Sequence, residues 1–190
     1  MSCRSVELKH LGSIQEIAAD YIRRVRSGVK LELSFYASRA SMAEAIRVGA
    51  NARTVDDKRH DHQRRIPGES LAELARRLLA SESEVKASTT FAQLHDLVKH
   101  LAEGVYRIGK LTIYDTSVRI GAKLGLAPQA VYLHAGTRKG AAALGMDTNQ
   151  ESIDPGLLPS EFKKLEPYEI EDVLCIYKKE LRKLAQEGKL

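Results

Sequence analysis

Three times in the first part of the chain a serine is followed three places on by a glutamate and then by apolar residues at helical spacing: Ser13 with Glu16, Ser41 with Glu44, and Ser70 with Glu73. In that capping box the hydroxyl and the carboxylate satisfy N–H groups that a helix start leaves free, so each occurrence predicts a helix N-terminus. After Ser13 the residues Ile14, Ile17, Ala18, Tyr21, Ile22 and Val25 share one helical face, with Gly28 as the expected stop. Further helices are expected from Thr90, over Thr112 to Leu124, near Pro128, and from Pro167 through Leu184. The segment Val29, Leu31, Leu33, Phe35 alternates like a strand, but a lone strand leaves its backbone groups unpartnered, so buried helix or loop is preferred. Aromatic residues are only 5% with no Trp, which argues against a β-sandwich. The expectation is an all-α, compact multi-helix chain, a single helical domain over 1–190 with roughly eight helices.

Hydrophobic residues at 43% beside 29% charged give enough apolar material for a core and exclude a wholly disordered chain. Cys3 and Cys175 lie near opposite ends, so no disulfide framework or Cys-rich zinc site is expected. The first ten residues lack the apolar core of a signal peptide, and no apolar run has the length of a membrane span. A cytoplasmic location and no membrane partner are therefore expected. The net charge of +5 is unevenly distributed. Arg107, Lys110, Arg119, Lys123, Arg138 and Lys139 face one acid, Asp115, within 104–140, whereas 151–181 is acidic. The middle of the chain is where an anionic partner is expected.

Between two amphipathic helices lies Val105-Tyr106-Arg107-Ile108-Gly109-Lys110-Leu111-Thr112. A tight turn before a helix start leaves backbone N–H groups beside the positive end of the helix dipole, and a phosphate fits there. Arg107 and Lys110 add charge that grips a nucleic-acid backbone without reading its sequence.

The stretch from Phe91 to His134 resembles the helix-hairpin-helix DNA glycosylases. Their hairpin runs apolar residue, Pro, Gly, aliphatic residue, Gly; Val105, Ile108 and Gly109 match, while Tyr106 and Arg107 replace the proline and first glycine. The resemblance implies a helix-hairpin-helix at about 90–124, with Arg107, Ile108, Gly109, Lys110 and Thr112 on double-stranded DNA. It also implies an enzyme that flips out a damaged or modified base and hydrolyses its N-glycosidic bond. The family's lysine nucleophile, where it has one, would fall at Leu111, so a monofunctional enzyme without cofactor is implied. The catalytic aspartate would fall near His134, so the candidates for the chemistry are His134 and the nearest carboxylate, Asp115. An exposed ion pair of Asp115 with Arg119, four places on, is the bland alternative.

The basic stretch Lys58 to Arg65 reads as a surface loop, in which His62, Gln63 and Arg65 could probe an opened duplex. His60, Asp61 and His62 lack the spacing of a known metal site, and no metal is expected. Gly136-Thr137-Arg138-Lys139-Gly140 lacks the order of a phosphate loop; Thr137 is read as a helix cap, with Arg138 and Lys139 exposed toward DNA. The leading expectation is a glycosylase of DNA repair or anti-phage defence, the latter against hypermodified cytosines such as glucosylated hydroxymethylcytosine. The alternatives are a non-catalytic hairpin module and a metal-dependent nuclease using the histidine loop.

Overall fold

The computed structural model describes residues 11–190. Along the chain run α1 (Ile14–Arg24), α2 (Arg26–Ala37), α3 (Met42–Ala50), α4 (Gly68–Ala80), α5 (Glu82–Ala87), α6 (Phe91–Leu101) and α7 (Lys110–Leu124). There follow α8 (Ala135–Ala143), α9 (Pro167–Ile176) and α10 (Lys178–Gln186). A two-residue antiparallel ribbon pairs β1 (Val131–Tyr132) with β2 (Ser152–Ile153). The all-α reading holds. Cys3 lies outside the described residues.

Two of the serine boxes act as the sequence implies. Ser13 Oγ accepts from the Glu16 N–H at 3.2 Å and Ser41 Oγ from the Glu44 N–H at 3.1 Å, while both glutamates reach back to the residue before the cap. Thr90 with Gln93 builds a third, full box at the start of α6. Each such cap is worth about 1 kcal/mol. Ser70 does not cap: α4 starts two residues earlier, behind Pro67, so Ser70 is buried inside it and Glu73 pairs with Arg76 and Arg77. Proline's preset φ makes the earlier start possible. Gly28 is no stop but an interior residue of α2, and 29–35 is helical, because α1 ends on Val25 and the chain re-enters a helix at once. The final helix breaks at Tyr177, whose hydroxyl is drawn to Asp20 at 2.9 Å.

Where one domain over 1–190 is expected, the internal contacts gather in two units, residues 29–128 and residues 11–28 with 129–190. The first packs α3, α4, α6 and α7 around Ile46, Leu74, Leu78, Leu94, Val98 and Ile120. The second packs α1, α8, α9 and α10 around Ile17, Tyr21, Phe162, Val173, Leu174 and Leu181. Within it the tightest approach is α8 on α9: a Cβ at Gly140 would overlap the Leu174 carbonyl, and one at Gly136 would strike Cys175 Sγ. Reciprocal tyrosine–aspartate bonds tie α1 to the α9 side, Tyr21 to Asp172 and Tyr177 to Asp20, each at 2.9 Å.

Glycine to alanine therefore has opposite signs at two helical positions. Gly140→Ala should lower stability by about 2 kcal/mol or more, since backbone cannot step aside. Gly28→Ala, exposed and with nothing near its Cβ, should raise it by about 0.5–1 kcal/mol. Denaturant midpoints of the two variants check both signs.

Candidate functional site

The turn between α6 and α7 is anchored on one side and open on the other. Val105 is buried and Ile108 half-buried against the first unit's core, while Tyr106, Arg107, Gly109 and Lys110 are exposed. Arg77 closes the end of α6 by donating to the carbonyls of Leu101 and Glu103 at 3.1 and 2.8 Å. Arg107 sits at φ +59°, in the left-handed region that favours glycine. Gly109, the N-cap of α7, is in ordinary extended backbone with open space before its Cα, and the first turn of α7 has no acid. The free N–H groups of that turn, the helix dipole, Arg107 and Lys110 thus face solvent together. Thr112, expected on DNA, is buried instead, because its place on α7 is on the face turned inward.

Below this turn α7 carries polar residues where a core helix would have apolar ones: Thr112, Asp115, Thr116 and Arg119 are all buried. The Asp115–Arg119 pair is thus a buried ion pair at 3.5 Å, with both side chains almost wholly enclosed, and not an exposed one. The cause lies in the 58–65 segment, which is only partly the surface loop expected. Its backbone turns through a short 3-10 helix, Asp61–Gln63, that drives Gln63 fully inside. Gln63 Nε2 donates to Asp115 Oδ2 at 2.6 Å and Gln63 Oε1 accepts from Arg119 Nη2 at 3.3 Å. Gln63 therefore bridges the two ends of the ion pair and cannot wedge a duplex, whereas Arg65 remains exposed. Arg119 also donates to the Gly49 carbonyl at 3.4 Å and lies over the Tyr36 ring.

His62 Nδ1 comes within 3.8 Å of Asp115 Oδ2, and its side chain, 18% exposed, is where this cluster reaches the surface. Burial alone would raise the Asp115 pKa, but the neighbouring His62 and the Arg119 charge prevail and hold it below the usual carboxylate range. Asp115 is therefore held as a carboxylate beside the partly buried imidazole of His62. It can assist proton transfer and favour positive charge nearby.

His60 is buried next to this cluster. The Tyr36 hydroxyl donates to the Arg53 carbonyl at 2.7 Å and meets His60 Nε2 at 2.8 Å, so Nε2 carries the proton and donates to the tyrosine. Burial, followed by the Arg119 charge, pushes His60 down to about 2. The side chains of His60, Asp61 and His62 turn to different neighbours, Tyr36, Arg64 and Asp115 respectively.

His134 belongs to the second unit. It caps α8, with Thr137 as the third residue of the helix instead of its cap, and its Nε2 is hydrogen-bonded to Glu171. Its ring, the Glu171 carboxylate and Cys175 Sγ lie within 4.8 Å of one another, the ligand types of a zinc site, though the direct His134–Glu171 bond fills the space between two of them. Arg138, expected toward DNA, donates to the Gln150 carbonyl at 3.1 Å and is half-buried.

No family model matches the chain, and neither the curated proteins nor the solved structures contain a match. Among the described residues no helix is long and apolar enough to cross a membrane.

His60, buried beside this cluster, makes stability depend on pH. An unfolded histidine titrates near 6.5, so below that value the unfolded chain gains a proton that folded His60 refuses. Its contribution is present above pH 6.5 and is lost as pH falls toward 2, by up to about 1.4 kcal/mol per pH unit. Asp115 adds a loss of the same sign in the acid range, below the unfolded carboxylate pKa near 3.9. Unfolding free energies measured at descending pH should fall from neutrality, and the His60→Asn variant should show a shallower decline; an unchanged slope would refute the assignment.

Proposed function

We propose that the chain is a DNA-binding hydrolase of the helix-hairpin-helix glycosylase kind, which removes a damaged or modified base in repair or in defence against phage. The observation that carries this reading is the conformation of Arg107. Although the family's glycine is replaced, the residue in its place adopts the backbone that glycine would take, at an exposed turn that feeds directly into a helix. Five residues along α7 from its first residue Lys110, about 7.5 Å at the usual helical rise, comes Asp115, kept ionised. The same helix thus joins a phosphate grip to a fixed carboxylate.

In the reaction the bond between C1′ and the base nitrogen breaks, its electron pair leaves with the base, and the sugar gains oxocarbenium character. Water then bonds to C1′. His62, oriented by Asp115, would take the water proton, and the carboxylate would offset the positive charge on sugar and ring. No metal is required. His134 is given no chemical role, since Glu171 holds its Nε2. The enclosure of Asp115 beneath Gln63 and Arg119 favours, as a second reading, a hairpin module that binds DNA and leaves its bases intact.

The purified protein, incubated with duplexes carrying deaminated, oxidised or glucosylated bases, should generate abasic sites in the presence of chelator. Asp115→Asn and His62→Gln should each lower turnover about 10²-fold or more while leaving DNA binding intact. Binding without base release from any substrate supports the second reading and sinks the first. The hairpin has its own test. Arg107→Gly should leave stability unchanged or raise it by up to about 1 kcal/mol while weakening DNA binding, and a variant that lost stability would contradict the account of this turn.

A further inference from the structure

The second unit contains a groove of about 570 Å³ between α8 and α10. On α8 it is lined by Lys139, Ala142 and Ala143, which share one helical face; on α10 it is lined by Lys178, Lys179 and Arg182. The alanines set a low apolar floor, and four cations form the walls. Among the described residues none of these four has a carboxylate within ion-pair distance. Lys178 spends one donor on the Cys175 carbonyl at 2.6 Å, which fixes its ammonium without neutralising it. Arg23 and Arg24 in the same unit pair with Asp20, Arg26 with Glu169, and Lys183 with Glu187, whereas Lys163, Lys164 and Arg138 are outside any ion pair among the described residues but do not line this groove.

From this geometry we infer a second DNA contact, in which the groove holds the sugar-phosphate backbone of a strand; that the strand is DNA rests on the function proposed above. Four like charges gathered without counterions repel one another, and a polyanion relieves that repulsion while releasing its own condensed cations. The volume is that of a nucleotide-sized ligand, not of one phosphate. The alanine floor matches the apolar edge of a sugar, and the basic walls match phosphates on either side. An anionic membrane is a poorer fit, because surface-binding helices insert large apolar side chains and this groove is lined by none. Of the two α8 cations expected toward DNA, Lys139 then meets it and Arg138 does not.

Fluorescence anisotropy with a labelled duplex, over a series of salt concentrations, tests the groove against the hairpin. The groove variants Lys139→Glu with Lys179→Glu, and Lys139→Gln with Arg182→Gln, change side chains on the surface. Their thermal midpoints are compared with that of the parent chain, and the neutral pair serves if charge reversal lowers the midpoint. Either pair should weaken binding about tenfold or more and reduce the slope of log affinity against log salt by about 1.8, the share of two phosphate contacts. The hairpin variant Arg107→Glu with Lys110→Glu is measured in parallel. If the hairpin variant loses binding and the groove variants keep the parental slope, the groove inference falls and the hairpin reading stands. If the groove variants lose binding and the hairpin variant does not, the reverse holds. Binding of the parent to phosphatidylserine vesicles that is lost in the groove variants, with duplex binding unchanged, would also overturn the inference. So would inorganic triphosphate that competes as well as an equal concentration of duplex phosphate.

Discussion

The interior of the first unit is organised around one charged contact, the carboxylate of Asp115 against the guanidinium of Arg119 with Gln63 bridging them. Such a pair is a poor source of net stability, because desolvating both ions costs about as much as their attraction returns. Its effect is positional. Removal of any member leaves a buried charge or amide without a partner, so α7, α3 through Gly49 and the 3-10 turn at Asp61–Gln63 are held in one arrangement. Gly49 is part of the same constraint: a Cβ there would stand 3.2 Å from that of Arg119. The Tyr36–His60 pair continues the polar interior, where burial and the Arg119 charge disfavour protonation of the imidazole.

That geometry gives the proposed chemistry its form. An aspartate fixed as an anion cannot donate a proton, and so the group able to exchange one is the imidazole that reaches the surface beside it. The exposed turn at the head of α7 and this imidazole belong to the same unit, and α7 runs from the turn to Asp115, beside which the ring stands. The second unit is held by different means. Buried acids there find neutral or cationic partners one by one, Asp172 on Tyr21, Asp20 on Tyr177, Glu169 on Arg26 and Glu171 on His134. Small residues on α8 bring its backbone against that of α9. The acids of 151–181, which a charge count alone reads as an exposed surface, are in α9 largely interior.

Several features were legible in the chain. The Ser13, Ser41 and Thr90 caps act through residues three places apart, and contacts of that range are set by local backbone geometry. The turn at 105–109 was legible for the same reason, since its residues are neighbours. The Gln63 role was not. Polar, flanked by Arg64 and Arg65, it has the local signature of a solvated loop, and its partners lie 52 and 56 positions away. The break at Tyr177 was hidden likewise, because the periodicity of 167–184 is continuous and the hydroxyl's partner is Asp20. Arg138 and Lys139 differ only in which face of α8 they occupy relative to other elements, which spacing alone does not disclose.

By itself the amino-acid order determined the helical class, several helix starts and the exposed cationic turn, because these depend on propensity, capping and the charge of adjacent residues. Only the tertiary structure decided which polar side chains are interior, that Asp115 is an enclosed anion, that His62 stands beside it, and that four cations of α8 and α10 share one groove. The physical reason is desolvation. Whether a charged group is exposed or must find a partner depends on what packs over it, and the residues that do so here come from remote parts of the chain.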